Sequence, residues 1–180
     1  MPRQFARFRP SVTPGAPDVF AVPPDGMCLS AFLVLTKPTD PTAVLVGKMN
    51  PDPRWLELGA MAPERVARFE HQWMLPSSQL VVFESPQEAA RRLGREQLGL
   101  DLPHLDPPQA FSEAYPRAGG GPANLHWDVH FVVRGTGPDR LPSHPLWREL
   151  AYVSVPSTPR SEFARNQGDV LELIGLVPRA

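Results

Sequence analysis

Residues 126–130 read His-Trp-Asp-Val-His. In a strand, residues two apart share a side, so His126, Asp128 and His130 project to one face. Two imidazoles and a carboxylate at that spacing can bind a transition metal or line a polar cleft. Trp127, Val129, Phe131 and Val133 then form the opposite, apolar face. Glu113, on the preceding candidate strand, can serve the same cleft as a general base or stand as a solvated strand carboxylate. Arg92 and Glu96 are one helical turn apart, where an exposed ion pair is worth only about 0.2–0.5 kcal/mol. Ser77 and Ser78 are adjacent hydroxyls, but no G-x-S-x-G elbow surrounds them, which argues against a Ser-His-Asp triad. Trp55 and Trp73 can stack on a base or pack in a core. Cys28 is the single cysteine, so an internal disulfide and a thiolate metal cluster are excluded, and it reads as a small strand residue.

The elements that must position these residues follow from periodicity. Residues 27–36 form a mostly apolar run, a turn at 37–41 follows, and 42–48 is a second strand, which predicts a hairpin. Residues 63–71 have helical spacing, with Val66 and Phe69 on one side, Arg65 and Arg68 outward, and Pro63 in the first turn. Ser85 as N-cap, Pro86 at the first position and Glu88 three residues on mark a helix start, and Gly99 marks its end. Gly94, inside that helix, either permits close packing or marks a local break. Strands are expected at 109–115, 125–134 and 151–155, with a glycine turn at 119–121. A closing helix is expected over 161–176, with Gly168 weakening its start. Residues 1–26 hold six prolines and read as an extended arm with an edge strand near 18–22, ahead of one domain over 27–180. The order of strands and helices is that of a layered α/β (α+β) domain.

The stretch from Trp73 to Leu100 carries a resemblance. Its lead-in Trp-Met-Leu-Pro, the run Glu84-Ser-Pro-Gln-Glu-Ala-Ala-Arg-Arg92, and the tail Glu96-Gln-Leu-Gly99-Leu100 are similar to the box of the Nudix (MutT-like) hydrolases, G-x5-E-x7-R-E-U-x-E-E-x-G-U. Glu84, Arg92, Glu96, Gly99 and Leu100 fall on the pattern without gaps over residues 78–100. Ser78 replaces the glycine, Leu93 the first glutamate of the cluster, Gly94 the bulky aliphatic residue, and Gln97 the last glutamate.

The resemblance implies a Nudix-like α/β/α sandwich on a mixed sheet. It implies Mg2+ or Mn2+ held by Glu96 with Gln97 and Glu84, and catalysis by Glu96 with Arg92, with Glu113 as a further candidate. It also implies phosphate contacts at Ser77 and Ser78, and a substrate cleft lined by His126, Asp128 and His130. The reaction implied is hydrolysis of a phosphoanhydride in a nucleoside diphosphate linked to another group. The departures at 93 and 97 raise the alternative of a catalytically silent fold that binds a nucleotide-like ligand or a protein. Leu93 cannot bind a hard cation and Gln97 offers a neutral oxygen, so one ion shared with the substrate's phosphates is what Glu96 can sustain. Specificity is expected in the loops 102–108 and 116–122, and a homodimer from the habit of the family.

Composition narrows the partners. The chain has 180 residues, enough for one domain with a real core. Its formal net charge is -1, which argues against a nucleic-acid or anionic-membrane surface and leaves room for a small phosphorylated ligand. The N-terminal stretch lacks the apolar region of a secretory signal, and no apolar run reaches the roughly 18 residues of a membrane span, so a cytoplasmic setting is expected.

Overall fold

A computed structural model describes residues 7–8, 27–116 and 125–177, excluding the side chains of 7, 8, 114–116, 125, 126 and 166. In chain order the elements are β1 (Arg7–Phe8), β2 (Met27–Lys37), β3 (Asp40–Met49), α1 (Trp55–Leu58), α2 (Pro63–Phe69) and β4 (Ser77–Gln79). Then come α3 (Pro86–Leu93), a π-helical turn (Gly94–Leu98), β5 (Gln109–Pro116), β6 (Leu125–Thr136), β7 (Trp147–Ser154) and α4 (Gln167–Leu173). The sheet runs β5-β6-β2-β3-β7, with β1 and β4 pairing along β2. β2 and β6 are parallel, from Met27 opposite Trp127 to Thr36 opposite Thr136, and the other pairs are antiparallel. The sheet is therefore mixed, as expected.

Alternation along β2 divides the core into two layers. Ala31, Leu33 and Leu35 pack with Ala89, Ala90, Leu93 and Leu98 of the box helix and its π turn. Phe32 and Val34 pack on the other side with Val170 and Leu171 of α4. The result is the expected α/β/α sandwich.

The hairpin of β2 and β3 forms with a tighter turn than expected, at Pro38 and Thr39. The closing helix is shorter than 161–176. Residues Arg160–Glu162 and Ala164–Asn166 make 3-10 turns, Arg165 adopts left-handed φ of 55°, and regular helix begins at Gln167. The helix α1 was not anticipated; it buries Trp55 against Trp147, ring centroids 4.9 Å apart. The turn at 119–121 and the strand near 18–22 lie outside the described residues. Among the described residues, no helix is long and apolar enough to cross a membrane.

Candidate functional site

The box helix starts as its sequence directs. Ser85 Oγ accepts from Glu88 N, and Glu88 Oε2 accepts from Ser85 N at 2.8 Å, a reciprocal cap that satisfies two otherwise orphaned donors. The Ser85 hydroxyl, which donates to Glu88 Oε2 at 2.7 Å, and then the Ser85 backbone N–H, with Arg91 nearby, hold the Glu88 carboxyl below its usual range. At the other end, Gly94 both packs closely and marks a break. A Cβ there would meet Leu102 Cδ1 at 2.7 Å and Leu100 O at 3.1 Å, and α-helix gives way to the π turn at this residue. Gly99, at φ 69°, ends the turn.

Glu84 and Arg92 form a two-pronged ion pair at the base of the helix. Arg92 Nε donates to Glu84 Oε1 at 2.6 Å and Nη2 to Oε2 at 2.8 Å, with both side chains about nine-tenths buried. Glu84 Oε2 also accepts from Val81 N at 3.0 Å, and Arg92 Nη2 donates to Gln79 O at 3.3 Å. The pair thereby fixes the loop that leads into the helix. Phe83 in that loop is fully exposed at left-handed φ of 67°. Glu96 Oε2 stands 3.9 Å from Arg92 Nη1, and the Glu96 side chain is 32% exposed.

The two replaced acidic positions have both become structural. Leu93 is 1% exposed within the core. Gln97 is 0% exposed: its Oε1 accepts from Ser77 N at 3.2 Å, and its Nε2 donates to Ser77 O at 3.0 Å and Leu58 O at 2.9 Å. Its own carbonyl accepts from Trp147 Nε1 at 2.6 Å. Gln167 supports the same segment from the other layer, accepting from Leu75 N at 2.7 Å and donating to Ser77 Oγ at 3.1 Å. Ser77 is thus spent on holding β4, and the buried Ser78 hydroxyl has no hydrogen-bond partner among the described residues.

This donor set does not fit a cluster of hard cations. Glu84 is committed to Arg92, Gln97 to the backbone, and Leu93 to the core, which leaves Glu96 as the carboxylate at the pattern's three acidic positions. That fits at most one ion completed by a ligand's own phosphates and water. Among the described residues no group of three His, Cys, Asp or Glu side chains is placed to hold a metal ion. The His126 side chain lies outside the described residues.

The polar residues of β5 and β6 gather elsewhere, in a cavity of about 730 Å³. Glu113 and Asp128 are direct cross-strand partners, so they share a face, and His130 lies diagonally from Glu113. His130 Nε2 is 3.3 Å from Glu113 Oε2, and its ring stands edge-on to Phe32 at 5.2 Å. Phe32 and Val170 place this cavity on the α4 face, opposite the box helix. Arg65, Arg68 and Phe69 of α2, Arg165, and Gln167 and Asp169 of α4 also line it. A narrower cleft shares Ser30, Phe32 and Arg165 with the cavity and reaches Ser77, Ser78 and Gln79 just ahead of the box helix. Ala60 and Arg165, two non-glycine residues at left-handed φ, both line that cleft.

The expected cleft residues Glu113, Asp128 and His130 therefore come together, while Glu96, Arg92 and Glu84 form a separate cluster at the box helix. Residues 102–106 of the expected specificity loop line a different cavity, of about 720 Å³, with residues 134–138. The loop 116–122 lies outside the described residues except for Pro116. The sequence reading does not include the lining arginines Arg65, Arg68 and Arg165 among the site residues. Their signal was a basic pair one turn apart on the outward side of α2.

No protein-family model matches the chain, and no curated protein matches it in sequence. Solved structures do resemble it. A bifunctional NMN adenylyltransferase/ADP ribose pyrophosphatase from Francisella tularensis aligns at TM-score 0.50 and 12% identity, over 83% of this chain and 41% of that one. A MutT/nudix family protein from Enterococcus faecalis aligns at TM-score 0.49 and 14% identity, over 80% of this chain and 59% of that one. An Ap4A hydrolase from C. elegans aligns at TM-score 0.46 and 14% identity, over 83% and 91%. The chain thus spans less than two thirds of the length of the first two. The layered mixed sheet and the box helix in register make this a Nudix-like fold.

Proposed function

We propose that this protein binds a phosphorylated, nucleotide-like small molecule in the cavity between α2 and the β5–β6 face, on a Nudix-like scaffold whose box helix is structural. The observation that supports this reading is the burial of Gln97, whose amide is consumed by Ser77 and Leu58 where the box pattern has an acidic ligand. The arginines of α2 offer a phosphate the charge-assisted donors it needs, independently of a metal. The test is calorimetric titration of the full chain with ADP-ribose, diadenosine tetraphosphate and nucleoside diphosphate sugars, with and without Mg2+ or Mn2+. Saturable binding that persists without the cation is expected. No saturable binding to any of them would contradict the reading.

A second reading, hydrolysis of the ligand's phosphoanhydride, draws on the clustering of Glu96 with the Glu84–Arg92 pair. One Mg2+ or Mn2+ at Glu96, shared with the ligand's phosphates, would supply charge neutralisation when bound. Product release that depends on the cation and stops in Glu96→Gln favours this reading over the first. A reduced cytoplasmic setting and a homodimer go with either reading, and neither requires nucleic acid or membrane.

A further inference from the structure

A cavity of about 720 Å³ opens at the carboxyl ends of the parallel strands β2 and β6, away from the one beside α2. Its origin lies in the chain just before β5. The ladder of β5 on β6 begins with Gln109 opposite Val132, so residues 133–136 of β6 run on without that partner. Pro107 and Pro108 precede Gln109 and lack the N–H that would extend the ladder. A bond from Asp106 N to Arg134 O at 2.9 Å tethers the loop instead, and Gly135 admits it: a Cβ there would stand 2.9 Å from Leu105 Cδ2. The crevice at the carboxyl ends of parallel strands is the usual ligand position in open α/β sheets, and this volume is that of a small-molecule site.

The charged groups of this cavity are not spent on one another. Arg134 is half-buried and, among the described residues, its guanidinium makes neither an ion pair nor a hydrogen bond. Five N–H donors and a full charge are therefore left for a ligand, and a carboxylate matches that fork with two parallel bonds. Asp101 and Asp106 line the same cavity, are exposed, and likewise make no ion pair among the described residues. Asp106 is joined to Arg134 through the backbone, yet the two side chains do not pair. Two carboxylates repel a polyanion and accept hydrogen bonds from an ammonium. Leu100, Leu102, Leu105 and Pro138 add an apolar lining.

We infer that this cavity is a second ligand site, separate from the one beside α2, and that it takes a small zwitterion with an apolar body, of the class of the larger apolar α-amino acids. The unpaired Arg134 and Asp106, side by side in one cavity, carry the inference. Arg134 takes the carboxylate, Asp101 and Asp106 take the ammonium, and the leucines take the apolar side chain. It stands independently of whether the cavity beside α2 binds a nucleotide.

The test is calorimetry on the full chain with three probes: L-phenylalanine, its N-acetyl derivative, which lacks the ammonium, and its amide, which lacks the carboxylate. Wild type is expected to bind the free amino acid saturably and at least about tenfold more tightly than either blocked compound. Arg134→Gln weakens the amino acid by about tenfold or more and leaves the amide unchanged or tighter. Asp101→Asn with Asp106→Asn weakens the amino acid and leaves the N-acetyl compound unchanged or tighter, because repelling charges are gone. Arg65→Ala with Arg68→Ala, in the other cavity, leaves all three unchanged. The fold of each variant is checked by its thermal unfolding. No saturable binding of the amino acid, a blocked compound binding as tightly, or binding indifferent to Arg134→Gln overturns the inference. Loss of binding in the Arg65 and Arg68 variant overturns the separateness of the site.

Discussion

Gln97 grips Ser77 by both ends of its side-chain amide, accepting from its N–H at 3.2 Å and donating to its carbonyl at 3.0 Å. The pairing ties the end of the box helix to β4, which in turn pairs with β2 at the centre of the sheet. A glutamate cannot reproduce it, because a carboxylate oxygen would face the carbonyls of Ser77 and Leu58 with no donor to offer. Gln97→Glu, which restores the box pattern on paper, is expected to cost about 2–4 kcal/mol of stability. Chemical denaturation measures this. A variant as stable as wild type would show that position 97 is not a structural clamp.

The Glu84–Arg92 pair predicts strong coupling. Removing one partner leaves a buried charge uncompensated, so Glu84→Gln or Arg92→Met alone should each cost about 3–5 kcal/mol, and the double variant markedly less than their sum. A double-mutant cycle on unfolding free energy reads the coupling directly. Additive single effects would mean that the pair does not act as a unit.

At Gly94 two effects compete. Alanine gains about 1 kcal/mol of helix propensity, but its Cβ would sit 2.7 Å from Leu102 Cδ1 and 3.1 Å from a carbonyl oxygen. Overpacking of that kind costs roughly 1–3 kcal/mol, so Gly94→Ala is expected to lower the melting temperature. A rise would mean that the Leu102 loop yields freely.

Stability should also depend on pH through His144. Burial, and then the charge of Arg54, hold its imidazole below the ordinary value of 6.5. The unfolded chain therefore takes up the proton first, and stability present above pH 6.5 falls as pH drops through that value toward the lower folded one. The carboxyls of Asp40, Asp52 and Glu88, held low by hydrogen bonds, lose their contributions only below their own ordinary values near 4, a separate window. Urea midpoints measured from pH 8 to 5 should fall for wild type and flatten for His144→Gln. Parallel curves would exclude His144 as the cause.

Much of the scaffold was legible because its signals are local. Ser85, Pro86 and Glu88 specify a helix start within four residues, and the alternation of β6 sends Asp128 and His130 to one side and Phe131 and Val133 to the other. Gln97 carries a further local signal. It lies one turn beyond Leu93, on the stripe that Ala89, Ala90 and Leu93 bury, so its burial follows from helical period. The cavity was only half legible. Glu113 and His130 meet across one hairpin pairing, whereas Arg65, Arg68 and Arg165 reach them through the packing of α2 and α4, which no local pattern encodes.

On the proposed reading the box helix is structural and the protein binds its ligand without cleaving it. Heat of binding and product release, measured together on wild type and Glu96→Gln with an ADP-linked diphosphate compound and Mg2+, test it most directly. Saturable binding is expected in both, with affinities within about threefold, and no product from either. Cation-dependent product release by wild type that Glu96→Gln abolishes would contradict it.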